Sequence, residues 1–393
     1  DQPEKEGDAV KVAVLGYGTV GAGVYSMLSD APGMEAGPVL VRPGKAVESF
    51  MVSDAALIFG DPTVDAVVET LGGLDPAYSY GMRALEAGKH FITANKAMVA
   101  AHGLELAALA REKGAAFLFS AACGGGVPFL HNLTLSAETD RIEAVSGILN
   151  GTTNYMLDAM QRRGLSYGDA LREAQSLGYA ESDPTADVSG LDALRKMQLA
   201  CAVAFGVLPQ SGMLCEGMEH FTAADVEDIQ SRGLVCRLLA RGSRAGESVS
   251  AYVEPVFFHR AAPESSVFTN NNMASYTGKR CGSIVLMGQG AGRFPTASAV
   301  LRDLSAAQQG ARSMFPENCR AAEADNREAV HSYYIRTGGF AAVRLSLRSV
   351  LAQGEVVRAV TEPMSAEKMH ALAQNIRKDG NDLFFAALEE ELC

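Results

Sequence analysis

Four carboxylates and a lysine stand close together in the stretch GYAESDPTADVSGLDALRK, where acid–base chemistry could take place. The carboxylates are Glu181, Asp183, Asp187 and Asp192. Asp192 and Lys196 have i, i+4 spacing on a predicted helix, so both side chains project from one face, commonly as a surface salt bridge. The apolar run MQLACAVAFGVL that follows indicates a buried helix, and burial lowers the pKa of a lysine until it can act as a general acid or base. The stretch therefore predicts an ordered site for an amino-acid ammonium group beside a titrating amine.

A glycine-rich turn, Gly16-Tyr17-Gly18-Thr19-Val20-Gly21, matches the pattern G-x-G-x-x-G near the start of the sequence. It follows the β-branched run VKVAVL and opens a predicted helix over residues 19–28. In that context the glycines permit a tight turn and let the backbone approach a pyrophosphate, which the helix N-terminus stabilises. An ordinary glycine turn is the alternative, but the preceding strand and the following helix favour a dinucleotide-binding site.

The end of the second predicted strand lacks the acidic residue that hydrogen-bonds the ribose of NAD in many dinucleotide sites. Residues 41–45 read VRPGK instead. Arg42 and Lys45 could bind the 2′-phosphate of NADP, or they could be surface cations on a solvated loop. Both interpretations stay open at this point, so the expected cofactor is NADP or NAD.

Lys96 follows the predicted strand HFITA at residues 90–94. Ligands bind at the C-terminal ends of parallel strands, so the ammonium group of this lysine could lie near a nicotinamide or a substrate carbonyl. A solvent-exposed position at the start of the next helix is the alternative, and position alone does not decide between the two.

The elements that carry these residues alternate between strand and helix in the first third of the chain. Strands are predicted at residues 10–15, 39–41, 55–59, 65–70, 90–94 and 115–119. Helices are predicted between them, among others at 76–88 and 96–114. Such alternation predicts an α/β fold with a parallel, doubly wound (Rossmann) sheet and right-handed crossovers.

The pattern changes near residue 120, where the Gly-rich segment AACGGGVP begins a less regular region. RIEAVSGILN, AYVEPVFFH and CGSIVLMG indicate strands of an antiparallel sheet, whereas YGDALREAQSLG and LDALRKMQLACAVAFG indicate helices. We therefore predict a first domain over residues 10–132, with a return segment at about 288–318, and an α+β domain over residues 133–285. From about residue 330 the pattern predicts strand–helix–strand–helix–strand.

The composition limits the kinds of partner that the protein can bind. The 393 residues carry a formal net charge of −12, which disfavours nucleic acid and anionic membranes because both attract basic patches. The seven cysteines are scattered without a C-x-x-C pair, as is typical of a reducing compartment. The sequence contains no run of 18 apolar residues that would predict a membrane-spanning helix, and we expect a cytoplasmic protein.

Several segments together resemble the homoserine dehydrogenase family. They are AVLGYGTVGAGV, TANKAMVA, AACGGGVPF, SGILNGTTNYML, GYAESDPTADVSGLDALRKMQLA and GQGAGRFPTASAV. They follow the family's order from residue 10 to about residue 312, and GILNGTTNY is far more specific to the family than the glycine turn. The resemblance implies an NAD(P)-dependent enzyme that interconverts L-homoserine and L-aspartate 4-semialdehyde, with a second domain for substrate binding and dimerisation.

The resemblance also implies catalytic and substrate-binding roles for individual residues. Lys196 would be the general acid/base for the substrate oxygen, and Lys96 would be a second candidate for proton transfer. Asp192 and Glu181 would hold homoserine, and Asp187 would belong to the same network. The chemistry agrees, because oxidation of a primary alcohol needs a hydride acceptor and a base for the hydroxyl proton.

Further residues are implied for the cofactor and for a cation. The pyrophosphate would be bound by Gly16, Gly18, Thr19, Val20 and Gly21. The cofactor near its nicotinamide would be contacted by Gly178, Glu181 and Gly290. A structural monovalent cation, usually sodium, would be bound by the carbonyl groups of Cys123, Gly125 and Val127. Ser120 stands where the family commonly has a glutamate ligand, so this cation site lacks a charged ligand.

The tail, residues 330–393, resembles a shortened form of the regulatory ACT domain of bacterial relatives. Thr337-Gly338-Gly339-Phe340 stands in place of the turn that opens the effector site, and regulation by threonine is left open. A homodimer or homotetramer is expected. The alternatives are another amino-acid dehydrogenase on the same fold and a catalytically silent NAD(P)-binding regulatory protein. Asp192 and Lys196 argue against both alternatives.

Overall fold

The structure, a computed structural model, describes residues 9–338 and 346–389 of the chain. These residues form two compact units. Unit 1 combines residues 9–139 with residues 289–320, and unit 2 combines residues 140–288 with the described residues from 321 onwards. Within the described ranges, every helix is too short or too polar to span a bilayer.

The helices and strands are numbered in chain order. The helices are α1 (Thr19–Leu28), α2 (Ala56–Phe59), α3 (Ala77–Glu86), α4 (Lys96–Lys113), α5 (Phe129–Thr139), α6 (Gly151–Arg163), α7 (Tyr167–Ser176), α8 (Thr185–Val188), α9 (Leu191–Phe205), α10 (Ala223–Ser231), α11 (Arg293–Gln308) and α12 (Ala366–Lys378). The strands are β1 (Val10–Leu15), β2 (Met34–Leu40), β3 (Met51–Val52), β4 (Ala66–Glu69), β5 (His90–Thr93), β6 (Phe117–Leu118), β7 (Ile142–Ile148), β8 (Val207–Ser211), β9 (Leu214–Cys215), β10 (Leu234–Ala245), β11 (Ser248–His259), β12 (Asn271–Gly278), β13 (Gly282–Gln289), β14 (Arg320–Glu323), β15 (Val330–His331), β16 (Tyr333–Gly338), β17 (Leu347–Ala352), β18 (Val356–Thr361), β19 (Met364–Ser365) and β20 (Leu383–Leu388).

Six parallel strands form the sheet of unit 1, in the order β3-β2-β1-β4-β5-β6. Val12, Val14 and Val67 are fully buried in it, as expected of strands that are covered on both faces. Because β2 and β4 lie on opposite sides of β1, the strand order changes direction there, and α/β proteins bind ligands at such a switch point. The parallel, doubly wound sheet confirms the predicted fold class.

Helix α11 belongs to unit 1 although it follows most of unit 2 in the sequence. It packs against α1 at Gly23, where a Cβ would lie 2.9 Å from both the side chain and the carbonyl of Arg293. Ala297, one turn further along α11, is also close to this glycine. The small residues therefore let the helix backbones approach each other behind the glycine-rich turn.

The predicted strand at residues 55–59 is wrong, because Ala56–Phe59 forms the short helix α2. The Asp54 side chain accepts a hydrogen bond from the backbone N–H of Ala56 at 2.8 Å and stabilises the first turn. Ile58 and Phe59 are the buried residues of this helix. An apolar run this short fits a strand and a helix equally well, so its periodicity does not distinguish them.

A ten-stranded mixed sheet organises unit 2, in the order β13-β12-β7-β10-β11-β20-β16-β18-β17, with β9 paired to β11 outside this path. The pairs β7–β12, β7–β10 and β10–β11 are antiparallel, as predicted. Strand β11 also runs parallel to β9 and to β20, so the sheet is mixed and extends beyond the predicted antiparallel part. Helix α9 packs on this sheet and buries Met197, Leu199 and Cys201 completely.

The chain beyond residue 330 adds strands to the sheet of unit 2. Strand β16 pairs with β18 and with β20, and β20 pairs with β11, so these strands are part of one continuous sheet. A helix was predicted between the first and second strands of this region. Leu347–Ala352, which lies in that interval, is a strand, so the prediction is wrong for these described residues. Gly339 and Phe340, at the predicted position of the effector turn, lie outside the described residues.

Candidate active site

The glycine-rich turn between β1 and α1 needs glycine at two positions. Gly16 has a φ of 99°, in the left-handed region that side chains disfavour. A Cβ on Gly21 would collide with the carbonyl of Gly16 and with the hydroxyl of Thr70. Gly18, the N-cap of α1, has no side chain to accept hydrogen bonds from the first N–H groups of the helix, which suits those groups to bind an anion.

A cavity of about 1050 Å³ lies beside this turn within unit 1. The predicted cofactor residues that line it are Gly16, Gly18, Arg42 and Lys45. The structure thus brings the glycine-rich turn together with the two cationic residues that follow β2. Thr19 is exposed, Val20 is half-buried and Gly21 is buried, all in the first turn of α1.

Aromatic side chains that the sequence analysis did not single out form another part of the cavity wall. Tyr17 and Phe50 both line the cavity, with ring centroids 5.8 Å apart. Phe50 in turn stacks on Tyr25, with ring centroids 4.3 Å apart. Cationic and aromatic groups around one cavity suit a dinucleotide, which carries phosphates and planar bases.

Lys96 begins α4 and is held there by a chain of hydrogen bonds from the end of β4. The buried carboxylate of Glu69 accepts a hydrogen bond from the hydroxyl of Thr93 at 2.5 Å. That hydroxyl accepts a hydrogen bond from the N–H of Asn95, whose side chain caps α4 by accepting from the N–H of Met98 at 3.1 Å. The backbone that carries the half-buried Lys96 is therefore fixed at the carboxyl edge of the sheet.

The Gly-rich loop after β6 packs tightly against residues 289–290 of the same unit. A Cβ on Gly125 would collide with the carbonyl of Gly290, and the N–H of Gly126 donates to the carbonyl of Gln289 at 3.0 Å. The three predicted cation ligands, Cys123, Gly125 and Val127, are all buried. The carbonyl of Val127 already accepts a hydrogen bond from the N–H of Phe129 at 2.8 Å.

Ser120, which stands where the resemblance would place a glutamate cation ligand, contacts a buried carboxyl group instead. Its N–H donates to Asp303 of α11 at 2.7 Å, and burial raises the pKa of Asp303 to about 7. The described residues contain no cluster of three or more His, Cys, Asp or Glu side chains that could hold a metal ion. The loop thus offers neutral carbonyl groups and lacks the charged glutamate ligand that the resemblance implies.

Asp192 and Lys196 of α9 form the ion pair that their spacing predicted. The Lys196 Nζ lies 2.7 Å from the Asp192 Oδ2, and both side chains are only 13% exposed. The same ammonium group donates to the carbonyl of Leu149 at 2.6 Å. Gly190, in the left-handed region with a φ of 83°, precedes the helix, and a Cβ there would lie only 3.0 Å from the Val253 side chain. The pair is therefore largely buried and is not a surface salt bridge.

Asn150 connects this pair to a second carboxylate. Its Nδ2 donates to the Oδ1 of Asp187 at 2.7 Å and to the Oδ2 of Asp192 at 3.0 Å. Its Oδ1 accepts from the N–H of Thr153 and caps α6. Burial raises the pKa of Asp187, and the hydrogen bond from Asn150 opposes that rise. Asn150 lies within the motif GILNGTTNY but was not predicted as a site residue, although an Asn before a helix is a recognisable N-cap signal.

The other residues predicted for this site lie in the loop before α8. Asp183 accepts hydrogen bonds from the N–H and the hydroxyl of Thr185, the first residue of α8, so its carboxylate is already hydrogen-bonded within the loop. Gly178 and Glu181 are exposed. The carbonyl of Glu181 accepts a hydrogen bond from the side chain of Gln175 at 3.1 Å, which fixes the loop backbone.

The arrangement in unit 2 can bind a cation and move a proton. Two adjacent carboxylates that share one neutral amide donor can attract an ammonium group. A lysine held by a carboxylate and a carbonyl is oriented for proton exchange with a hydroxyl or carbonyl group. In unit 1 the glycine-rich turn and its cavity fit a dinucleotide.

Comparisons with known proteins agree on one family. Residues 128–305 match the family model described as "Homoserine dehydrogenase", and residues 16–120 match "Homoserine dehydrogenase, NAD binding domain". The homoserine dehydrogenase of Corynebacterium glutamicum is 39% identical over 319 residues, which are 76% of this chain and 72% of the relative. The homoserine dehydrogenase of Synechocystis sp. is 38% identical and covers 75% of this chain and 72% of its own length.

Solved structures show the same likeness. The homoserine dehydrogenase of Thiobacillus denitrificans superposes with a TM-score of 0.85 at 29% identity, covering 97% of this chain and 98% of that one. The S. aureus homoserine dehydrogenase, solved at pH 8.5, gives a TM-score of 0.76 at 26% identity and covers 98% of this chain and 100% of its own. The likeness to both structures includes the tail.

Proposed function

The chain belongs to the homoserine dehydrogenase family, and from that premise we propose that it interconverts L-homoserine and L-aspartate 4-semialdehyde with NAD(P). The observation that carries the proposal is the buried Asp192–Lys196 pair, joined through Asn150 to Asp187. Oxidation removes a hydride from the alcohol carbon and a proton from its oxygen, and it leaves the aldehyde. When bound, the nicotinamide cofactor accepts the hydride.

We assign the proton to Lys196. During oxidation its neutral amine accepts the hydroxyl proton, and during reduction its ammonium group returns a proton to the carbonyl oxygen. The Asp192 carboxylate at 2.7 Å and the Leu149 carbonyl at 2.6 Å orient the Nζ for this exchange. Lys96 is the second candidate for the proton, and the hydrogen bonds from Glu69 through Asn95 support an ordered position for it.

We assign the substrate ammonium group to the carboxylates of Asp187 and Asp192. Their adjacent negative charges favour an α-ammonium group, and homoserine carries one. Glu181, on the neighbouring loop, is proposed as a further contact with the substrate and with the cofactor. The proposed cofactor contacts of Gly178 and Gly290 rest, like that of Glu181, on the family resemblance.

We propose that NADP is used at least as well as NAD. Support comes from Arg42 and Lys45, which line the same cavity as Gly16 and Gly18. Val41 stands directly after β2, at a position where NAD-preferring sites often have a carboxylate. A guanidinium group suits a phosphate because its N–H groups match the phosphate oxygens in pairs.

The remaining parts of the proposal concern a cation, assembly and location. The carbonyl groups of Cys123, Gly125 and Val127 are the proposed ligands of a monovalent cation, but no catalytic step is assigned to it. Equal rates in sodium and in tetramethylammonium buffers would remove the cation from the proposal. A homodimer or homotetramer in the cytoplasm remains our prediction, and light scattering of the purified protein would measure the assembly.

Initial rates of L-homoserine oxidation with NAD and with NADP, measured in parallel, test the proposed function. We expect turnover with L-homoserine and a kcat/KM for NADP that equals or exceeds the value for NAD. Binding of a cofactor without any turnover would favour the regulatory alternative. Faster oxidation of a different hydroxy or amino acid would favour another dehydrogenase of the same fold.

A further inference from the structure

We propose that Asn150 is a positioning residue whose amide group holds Asp187 and Asp192 side by side for the substrate ammonium group. The inference rests on the proposed function of unit 2. It goes beyond that function because the residue that positions the two substrate-binding carboxylates is neutral and contacts none of the reacting atoms.

The orientation of the Asn150 amide follows from the helix that it caps. The backbone N–H of Thr153 can only donate, so the atom 2.8 Å from it must be the amide oxygen of Asn150. The hydroxyl of Thr153 contacts the same oxygen at 3.0 Å. The NH₂ group must then point the other way, towards the two carboxylates. The start of α6 therefore fixes both N–H groups before any substrate binds.

The chemistry of the donor matters as much as its position. Two neighbouring carboxylates repel each other, and the charge of Asp192 helps to raise the pKa of Asp187. A Lys or Arg at position 150 would relieve that repulsion but would also neutralise the charge that attracts the substrate. The amide of Asn150 donates one hydrogen bond to each carboxylate and brings no charge of its own. Both carboxylates thus stay available to an ammonium group.

The same turn also reaches the proposed general base. Leu149, directly before Asn150, accepts the hydrogen bond from Lys196 with its carbonyl. The groups that act on the charge of Asp187 are Asp192 and Lys196 of α9, together with hydrogen bonds from Asn150 and Thr152. Asn150 is 5% exposed, so water does not easily replace its hydrogen bonds. A change at this position should therefore alter substrate binding more than cofactor binding.

Two variants separate positioning from helix capping. Ser and Asp are both good N-cap residues, so Asn150→Ser and Asn150→Asp keep an acceptor for the N–H of Thr153. Asn150→Ser lacks the two amide donors, and Asn150→Asp also adds a third negative charge. The matched control is Ser166→Ala, which removes the N-cap of α7, where the Ser166 side chain accepts from the N–H of Asp169.

The kinetics and their pH dependence give the decisive result. Loss of a hydrogen bond to a charged group should raise the KM for homoserine about tenfold or more in Asn150→Ser, with little change in the KM for the cofactor. Without the donor the pKa of Asp187 rises further, so the acidic limb of kcat/KM should move to higher pH, and further in Asn150→Asp than in Asn150→Ser. Ser166→Ala should lower the melting temperature and leave the pH profile unchanged.

The possible failures are distinguishable. An inactive wild-type protein would refute the proposed function itself. An active wild type, with an unchanged KM and pH profile in a folded Asn150→Ser or Asn150→Asp protein, would refute the role of Asn150 and reduce it to a helix cap. If one variant does not fold by circular dichroism, the other carries the test, because the two substitutions differ in charge and size.

Discussion

Replacing Asp192 with Asn keeps the shape of the side chain and removes the charge that the proposed substrate site depends on. In the structure its carboxylate accepts hydrogen bonds from Lys196 at 2.7 Å and from Asn150 at 3.0 Å. A hydrogen bond to a charged group contributes about 1.5–3 kcal/mol. Since about 1.4 kcal/mol corresponds to a factor of ten, loss of one such bond to the substrate ammonium group should lower kcat/KM about 10- to 150-fold. Most of the loss should be in the KM for homoserine.

The Asp192→Asn variant should also be less stable than the wild type. Its Lys196 keeps a largely buried ammonium group without the facing carboxylate, and we expect a cost of about 1–3 kcal/mol in the free energy of unfolding, less than for a fully buried pair. Asp228→Asn is the matched control, because Asp228 and Arg232 form another i, i+4 pair in unit 2, 3.1 Å apart, with side chains that are 15% and 26% exposed. The control should lose stability without a change in KM. An unchanged KM in Asp192→Asn, together with a loss of stability like that of the control, would refute the substrate role and leave only a helix salt bridge.

Four further predictions address the cofactor cavity, the buried acid of unit 1, the tail and the effect of threonine. Arg42→Ala should raise the KM for NADP about tenfold and leave the KM for NAD nearly unchanged. The exposed control Lys113→Ala should change neither KM. Equal effects of Arg42→Ala on both cofactors would contradict the 2′-phosphate contact. The pKa of Asp303 is raised from 3.8 to about 7, so folding favours its neutral form. The stability of the wild type relative to Asp303→Asn should therefore fall as the pH rises from about 4 to about 7. The same difference in melting temperature between the two proteins at pH 5 and at pH 8 would contradict this. A chain ending at Arg327 lacks the fully buried side chains of Tyr333, Phe384 and Phe385, so its unit 2 should no longer unfold cooperatively. A melting temperature equal to that of the intact chain would show that the tail is dispensable for stability. Millimolar threonine should leave the rate of the intact chain nearly unchanged, and cooperative inhibition would contradict that expectation.

The repeating elements of unit 1 were largely predictable because their signals are local. The helix predicted at residues 19–28 is α1, and the strand before it, β1, carries the buried β-branched residues Val12 and Val14 that parallel sheets favour. The prediction of a strand at residues 55–59 was wrong because a run of five residues fits either period, and in the structure Asp54 accepts a hydrogen bond from the first residue of the helix.

Pairing between distant segments was not predictable in the same way. Nothing in NDLFFAAL specifies that β20 lies beside β11 and runs parallel to it. The tail therefore looked like a separate α+β unit from its sequence, whereas its strands continue the sheet of unit 2. Long-range pairing depends on how several faces bury one another, and hydrophobic periodicity within a segment does not record that.

In the candidate site, too, contacts within one segment were predictable and contacts between distant segments were not. The i, i+4 spacing correctly predicted that Asp192 and Lys196 meet, and the apolar run after them correctly predicted their burial. Asp183 stands in the same carboxylate-rich stretch, but its carboxylate is hydrogen-bonded locally, in a short Asp-x-Thr turn at the start of α8. Asn150 lies 37 residues before Asp187, so its contact with the carboxylates depends on how α6 and α9 pack and has no signal in the spacing.

The most direct test of the account is the turnover of Lys196→Ala, measured against the wild type with saturating L-homoserine and NADP. If Lys196 exchanges the proton with the substrate oxygen, kcat should fall about 10²- to 10⁴-fold, the usual size of a lost general acid or base. The KM for the cofactor should stay within about twofold of the wild-type value, because the proposed cofactor cavity lies in unit 1. Near-normal turnover in the folded variant would contradict the account and would transfer the proton to Lys96.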